Sequence, residues 1–411
     1  MITARLKVLQ ALHDEKAKTL TLRVEPTQEL PAAGDYIFLK ASPHNLGAYR
    51  IRRVKKLLFR RGVSITVESS EPDRRWTERI EPYISGADDT VLSGISPQQF
   101  HELSVSDQSA YFLSVVELYG SPRVHAFIQQ HIEPSLRLAP GDGPYTGGLS
   151  KLGGLPLAPE GFRFPKDPEG RRAVHFLGQL HLGELNQHFS TTRRLRGDGV
   201  LYFFATIAVD EDGWEPRYSY YEALVEYAVE VKKGQHVPLP EDVQQFGAHR
   251  EHDLYIVERL SIPDRDTSLW EESEMTEEER RTYSELDAIL EEYCEYSGSH
   301  GLSGNKLLGH PFQLQGCVLL EAEFKQHSRG DYAPGEGYVD PDHIDKETKA
   351  LTPQSRSWQV LFEFDNFYLP ELPQFDDSFN QYESGRYYVM IQTDDLARMD
   401  FSKTITIYQH N

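Results

Sequence analysis

Short runs of alternating hydrophobic and polar residues open the chain. Ala4-Arg5-Leu6-Lys7-Val8-Leu9 and Thr19-Leu20-Thr21-Leu22-Arg23-Val24 repeat with period two, the mark of a half-buried strand. Tyr36-Ile37-Phe38-Leu39 follows the turn signal Ala33-Gly34-Asp35, and residues 49–56 and 62–67 read as a hairpin around Phe59-Arg60-Arg61-Gly62. Short strands at this spacing predict a small antiparallel, barrel-like β domain over residues 1–95. Over residues 96–139 the period becomes helical. Ser96-Pro97 and Ser104 to Asp107 offer helix starts, Tyr111, Leu113, Val115, Val116 and Leu118 are too apolar for an exposed helix, and Pro122 and Pro134 punctuate the segment. These residues predict a helical connector packed on the domain that follows.

From about residue 140 one order of elements occurs twice. Lys151-Leu152-Gly153-Gly154-Leu155-Pro156 and Lys306-Leu307-Leu308-Gly309-His310-Pro311 share a K-L-x-G-x-P frame, in which glycine serves a tight corner. The first corner is followed by the runs Val174–Leu180 and Gly199–Phe204, the second by Trp358–Asp365 and Gly385–Ile391. Turn, strand and strand in the same order predict an internal duplication over 140–411, with halves at about 140–260 and 300–411. Between them, Thr276-Glu277-Glu278-Glu279 is a capping box opening a helix over 276–296 with the apolar stripe Tyr283, Leu286, Leu290 and Tyr293. The fold class is therefore mainly β, of the α+β kind.

Charge narrows the partners. The formal net charge is −21, which disfavours phosphate backbones and favours a basic protein partner. The run Arg50, Arg52, Arg53, Lys55, Lys56, Arg60 and Arg61 goes against that balance and reads as a charged edge strand that discourages edge pairing. Lys7, Asp14, Glu15, Lys16 and Lys18 occupy the place of a signal peptide's apolar run, and no stretch has the length of a membrane span. A cytoplasmic location is expected, with no membrane and no nucleic acid as partner. Cys294 and Cys317 share no motif spacing, so neither a disulfide framework nor a cysteine-rich zinc site is expected.

Ser150-Lys151-Leu152-Gly153-Gly154-Leu155-Pro156 with Pro159-Glu160-Gly161-Phe162 and Phe176-Leu177-Gly178-Gln179-Leu180 resembles the opening of the YwqG-like family of bacterial proteins. Lys306–Pro311 with Gln315-Gly316, Leu361–Asp365, and Tyr387–Ile391 with Asp395-Leu396-Ala397 and Asp400-Phe401-Ser402 extend the resemblance to the end of the chain. It implies a duplicated β roll without an assigned activity. Some relatives resemble proteins encoded beside secreted-toxin systems, which implies a protective role. Where the family has a Met-Trp-Gly-Asp-like turn, this chain has Phe379 to Gly385.

Candidate chemistry centres on polar residues at matched places: Lys151 and Lys306, Gln179 and Glu363, with His175, His181, His310 and Asp365 nearby. Lysine beside a buried acid suits acid–base work when burial moves its pKa, yet lysine at a glycine corner also holds neighbouring carbonyls. Repetition favours the second role. His249 and His252, spaced to share a helical face, and the acidic residues of 331–345 lack the fixed spacing of a metal site, so no metal or cofactor is expected. The expectation is a non-catalytic binding protein with an acidic surface, in its sharpest form an immunity protein that occludes a basic toxin. Trp214, Tyr218, Tyr220, Tyr221 and Trp270 are its candidate anchors. The alternative is an enzyme or small-ligand binder whose cleft lies between the two β halves and is lined by Lys151, Gln179, Lys306, His310 and Glu363.

Overall fold

A computed structural model describes the backbone of six strands between residues 5 and 93. Beyond them it describes residues 100–140, 149–167, 173–210, 217–229, 234–244, 248, 250–264, 269, 273–295, 305–314, 316–328, 353–365 and 385–410. The chain divides into two compact units, Met1–Ile132 with Met275–Tyr296, and Glu133–Glu274 with Ser297–Asn411. Among the described residues no helix is long and apolar enough to cross a membrane.

The first unit begins with β1 (Arg5–Asp14), β2 (Thr19–Val24), β3 (Tyr36–Ala41), β4 (His44–Lys56), β5 (Val63–Ser69) and β6 (Thr90–Ser93). Their ladder runs β1-β2-β5-β4-β3-β6 and returns to β1, so the ring of strands closes. The described part of the basic run lies on β4, where Arg50 pairs with both β3 and β5, while Arg53, Lys55 and Lys56 extend past the β3 register and pair with β5. Arg60 and Arg61 lie outside the described residues. Helices α1 (Val105–Tyr119) and α2 (Pro122–His131) belong to the same unit, with Ser104 and Ser121 capping their first turns. So does the acidic helix Glu277–Glu295. At its start the Thr276 N–H donates to Glu279 Oε2 at 2.9 Å and the Glu279 N–H to Thr276 Oγ1 at 3.3 Å, a reciprocal cap. Of its stripe Tyr283, Leu286 and Leu290 are buried, together with Ile289, and the Tyr293 side chain is outside the described part. The Tyr283 ring lies 5.8 Å from that of Phe127 in α2, and Ser121 Oγ donates to Glu279 at 2.6 Å.

The second unit is built from two antiparallel sheets. One has the order β12-β11-β10-β8, with β8 (Lys151–Leu152), β10 (Ala173–His181), β11 (Val200–Asp210) and β12 (Arg217–Ala228). The other has the order β14-β7-β15-β16-β17-β18, with β7 (Glu133–Pro140), β14 (Leu254–Ser261), β15 (Asn305–Leu307), β16 (Trp358–Asp365), β17 (Gly385–Gln392) and β18 (Ile405–His410). β9 (Leu157–Ala158) pairs with β13 (Gln235–His236) beside them. In each half a corner strand and three longer strands form the same meander, 8-10-11-12 and 15-16-17-18. β7, which Pro134 placed in the helical connector, is a strand of the second sheet with Leu136 and Leu138 in the core. A proline near the start of a strand leaves the rest of its ladder intact.

The sheets face each other across one apolar cluster. Leu177, Leu180, Leu201 and Phe203 come from the first, and Leu307, Leu361, Phe362, Phe364 and Val389 from the second. The Phe203 and Phe362 rings are 4.5 Å apart. The opposite face of the first sheet carries Val174, Phe176, Tyr202 and Phe204; that of the second carries Trp358, Val360, Tyr388 and Met390 under helix α4 (Val318–Ser328). Helix α3 (Leu182–His188) follows β10, and α5 (Thr393–Arg398) follows β17.

The K-L-x-G frames fold alike. Gly153 and Gly154 have φ of 65° and 71°, and Leu308 and Gly309 have 61° and 79°, two successive left-handed residues in each. The Gly153 N–H donates to the Leu177 carbonyl at 2.8 Å, and the Leu308 N–H to the Leu361 carbonyl at 3.1 Å. A Cβ on Gly309 would lie 2.6 Å from Ser261 Oγ and 2.7 Å from Ser135 Cβ, whereas one on Gly161, at φ 84°, would meet nothing within 4 Å. Gly309→Ala is therefore expected to cost about 2–4 kcal/mol and Gly161→Ala about 1 kcal/mol. Urea-unfolding midpoints of the two variants measure the difference, and equal shifts would refute the packing account.

Candidate functional site

A single-residue bulge sets the site. In β16 the pairing jumps between Val360 and Phe362, leaving Leu361 as the extra residue; in β10 it jumps between Phe176 and Gly178, leaving Leu177. Each bulge reverses the alternation that follows. Phe362 and Phe364 then point into the inter-sheet core, and Glu363 turns to the outer face. There it stands in a row across four strands, with Arg137 opposite Lys306, Lys306 opposite Glu363, and Glu363 opposite Tyr388.

Glu363 is fully buried and ionised. Its Oε2 accepts from Lys306 Nζ at 3.0 Å and from the Phe312 N–H at 3.2 Å, and its Oε1 accepts from the Arg386 guanidinium. Burial alone would raise this carboxyl, but Lys306, Arg386 and Arg137 outweigh it and hold it below the usual carboxylate range. Burial pushes the Lys306 ammonium down to about 8 against the pull of Glu363, with Arg137 adding to the depression. Lys306 also donates to the His310 carbonyl. The Tyr388 hydroxyl donates to the Phe312 carbonyl, and burial, foremost, raises its phenol. Arg386 lies over the Phe312 ring, 4.4 Å from its centroid.

The first half repeats this arrangement with a neutral amide in place of the carboxylate. Gln179 pairs with Lys151 on one side and Tyr202 on the other. Gln179 Oε1 accepts from the Leu157 N–H at 2.8 Å, and Tyr202 donates to the Leu157 carbonyl at 3.0 Å. Leu157 stands six residues after Lys151, as Phe312 stands six after Lys306. Val200 takes the register place of Arg386, and Lys151 reaches Glu251 at 2.6 Å. In both halves the row grips the backbone of the segment leaving the corner.

The candidate residues are thus brought together within each half and not across the halves. Lys151 and Gln179 lie on the outer face of one sheet, and Lys306 and Glu363 on the outer face of the other; His310 begins the gripped segment. The space assigned to a cleft holds the apolar core. His175 is buried on β10, and His181 caps α3 by accepting from the Glu184 N–H at 3.0 Å. His252 forms a β-bridge with Leu152, an extended conformation in place of the helical face expected for it. His249, the loop 331–345, Trp214 and Trp270 lie outside the described residues. Tyr218 and Tyr220 lie on β12 opposite Val209 and Ile207, and Tyr221 follows them; their side chains are outside the described part. Among the described residues no group of three His, Cys, Asp or Glu is placed to hold a metal ion. Arg137, Arg386, Tyr202 and Tyr388 escaped sequence reasoning, although matching Tyr202 to Tyr388 between the repeats would have found the tyrosines.

A family model described as a domain of unknown function (DUF1963) matches residues 150–409. No curated protein matches the chain.

Glu363→Gln, which installs the first half's residue, leaves the buried Lys306 and the half-buried Arg386 facing a neutral amide and is expected to cost about 3–5 kcal/mol. Adding Arg386→Val restores part of that, as read from denaturant midpoints. Lys306 supplies a pH signature. Its folded value of about 8 lies below the ordinary 10.5, so the unfolded chain holds the proton more tightly between them. The resulting penalty is complete below about pH 8 and is relieved as pH rises through that window. Relative to Lys306→Met, the parent protein should gain stability from pH 8 to 10.5; a pH-independent difference would contradict the burial of a charged lysine.

Proposed function

The chain belongs to the DUF1963 family, and from that premise we propose that it is a non-catalytic, cytoplasmic binding protein that presents an acidic surface to a basic protein partner. The observation that carries the reading is the net charge of −21 on a chain whose buried Lys306 and Glu363 grip its own backbone. Such a surface speeds and selects encounter with a partner of opposite charge. Glu277 and Glu278, exposed in the first turn of the acidic helix, belong to it. The finer version is an immunity protein of the YwqG-like kind that masks a basic toxin. Catalysis or ligand binding between the two β halves has less in its favour, because the residues that would line that cleft lie on the outer faces of the sheets.

The test is capture from the native host across a salt series, followed by reconstitution with the purified partner. A saturable complex with one basic protein is expected, weakening steeply with salt and weakened further by Glu277→Lys with Glu278→Lys. Retention that ignores salt, or no retained protein at any salt, would overturn the reading. A small molecule that raises the Tm of the parent but not of Lys151→Ala would move the assignment to the ligand-binding alternative.

A further inference from the structure

The segment leaving the second corner crosses the outer face of its sheet as a strap, and side chains hold it. Glu363 accepts from the Phe312 N–H, and Tyr388 donates to the Phe312 carbonyl. Gln409 Oε1 accepts from the Leu314 N–H at 2.9 Å, and Gln409 Nε2 donates to the Gly316 carbonyl at 3.2 Å. The strap then enters α4, whose first amide, at Val318, donates to Gln313 Oε1 at 2.8 Å. Gln409 is therefore the clasp at the far end. Its Nε2 also donates to Glu321 Oε1, at 2.7 Å, in the first turn of α4.

Glu321 and Glu363 are buried to similar depth with opposite partners. Glu363 has two cations and an amide; Glu321 is 3 % exposed and has the neutral amide of Gln409. Among the described residues, the cations on the sheet and on α4 have other partners. Lys306 and Arg386 bind Glu363, and Lys325 donates to the Thr406 carbonyl at 3.0 Å. On its own helix Glu323 accepts from Trp358 Nε1 at 2.7 Å and lies 3.5 Å from His327. Asp264, near the strap, accepts from the Gln313 N–H at 3.4 Å. Tyr388, on β17, stands opposite Glu363 and donates to the strap. A buried carboxyl with one neutral donor and no counter-charge favours its protonated form.

We propose that the strap is a pH-operated latch: protonated Glu321 keeps Gln409 clasped on Leu314 and Gly316, and loss of that proton draws water in beneath α4 and frees the strap. Burial pushes the Glu321 carboxyl up to about 7, with the Gln409 hydrogen bond opposing it. Open to water it would titrate near 4.5, so the closed form binds the proton more tightly. The stabilisation is complete below about pH 4.5 and is lost as pH rises through about 7.

Amide hydrogen exchange of Leu314 and Val318, corrected for intrinsic rates, reads the latch directly. From about pH 5.5 to about pH 8 protection should fall roughly thirtyfold in the parent protein and stay level in Glu321→Gln, with amides of the inter-sheet core unaffected. Protection that is level in the parent, or that falls equally in Glu321→Gln, overturns the proposal. Should the variant fail to fold, carbon NMR of labelled glutamate in the parent decides. A carboxyl titrating above about pH 6 supports the latch, and all carboxyls titrating near their ordinary values overturn it.

Discussion

A carboxylate sealed from water needs partners for every lone pair, and at Glu363 that need organises the second sheet. Lys306 comes from β15, Arg386 from β17 and the Phe312 amide from the strap, so one side chain ties two neighbouring strands to the segment lying across them. The desolvation it suffers is offset by two cations at contact distance. Those cations are in turn fixed by ladder register and by the stacking of Arg386 on Phe312. Removing any member takes a partner from another buried or half-buried charge, which binds the group into one unit.

The first half meets the same geometric demand with neutral chemistry. Gln179 and Tyr202 hold Leu157 as Glu363 and Tyr388 hold Phe312. The substitutions are coupled: glutamine stands with Val200, and glutamate stands with Arg386. An uncharged amide needs no counter-ion, whereas a buried carboxylate without one would be unstable. The lysines follow the same logic. Lys306 is sealed in with its acid, while Lys151 finds Glu251, which is largely exposed. The charged version thus sits in the half whose strap feeds α4, where the Gln409 clasp and Glu321 extend the polar network.

Much of this was legible along the chain. The doubled K-L-x-G-x-P frame announced the repeat, because successive left-handed residues need glycine or tolerate little else, and Leu308 is the exception that burial on all sides permits. Period-two runs marked the strands, and Thr276 with Glu279 marked the start of the acidic helix, since a capping box is a contact between residues three apart. β7 was missed because a proline near a strand's first residue looks like a break.

Local order, capping and the existence of two copies were determined by sequence alone, because they depend on steric and hydrogen-bonding preferences within a few residues. Which face each polar residue takes was decided by tertiary structure. The bulges at Leu177 and Leu361 turn Gln179 and Glu363 away from the apolar interior, so the two lysines stand on the outer faces of the sheets and line no shared cleft. Side-chain direction in a strand alternates with every residue, and one extra residue in the ladder reverses it. That count is settled by the pairing of strands far apart in the chain.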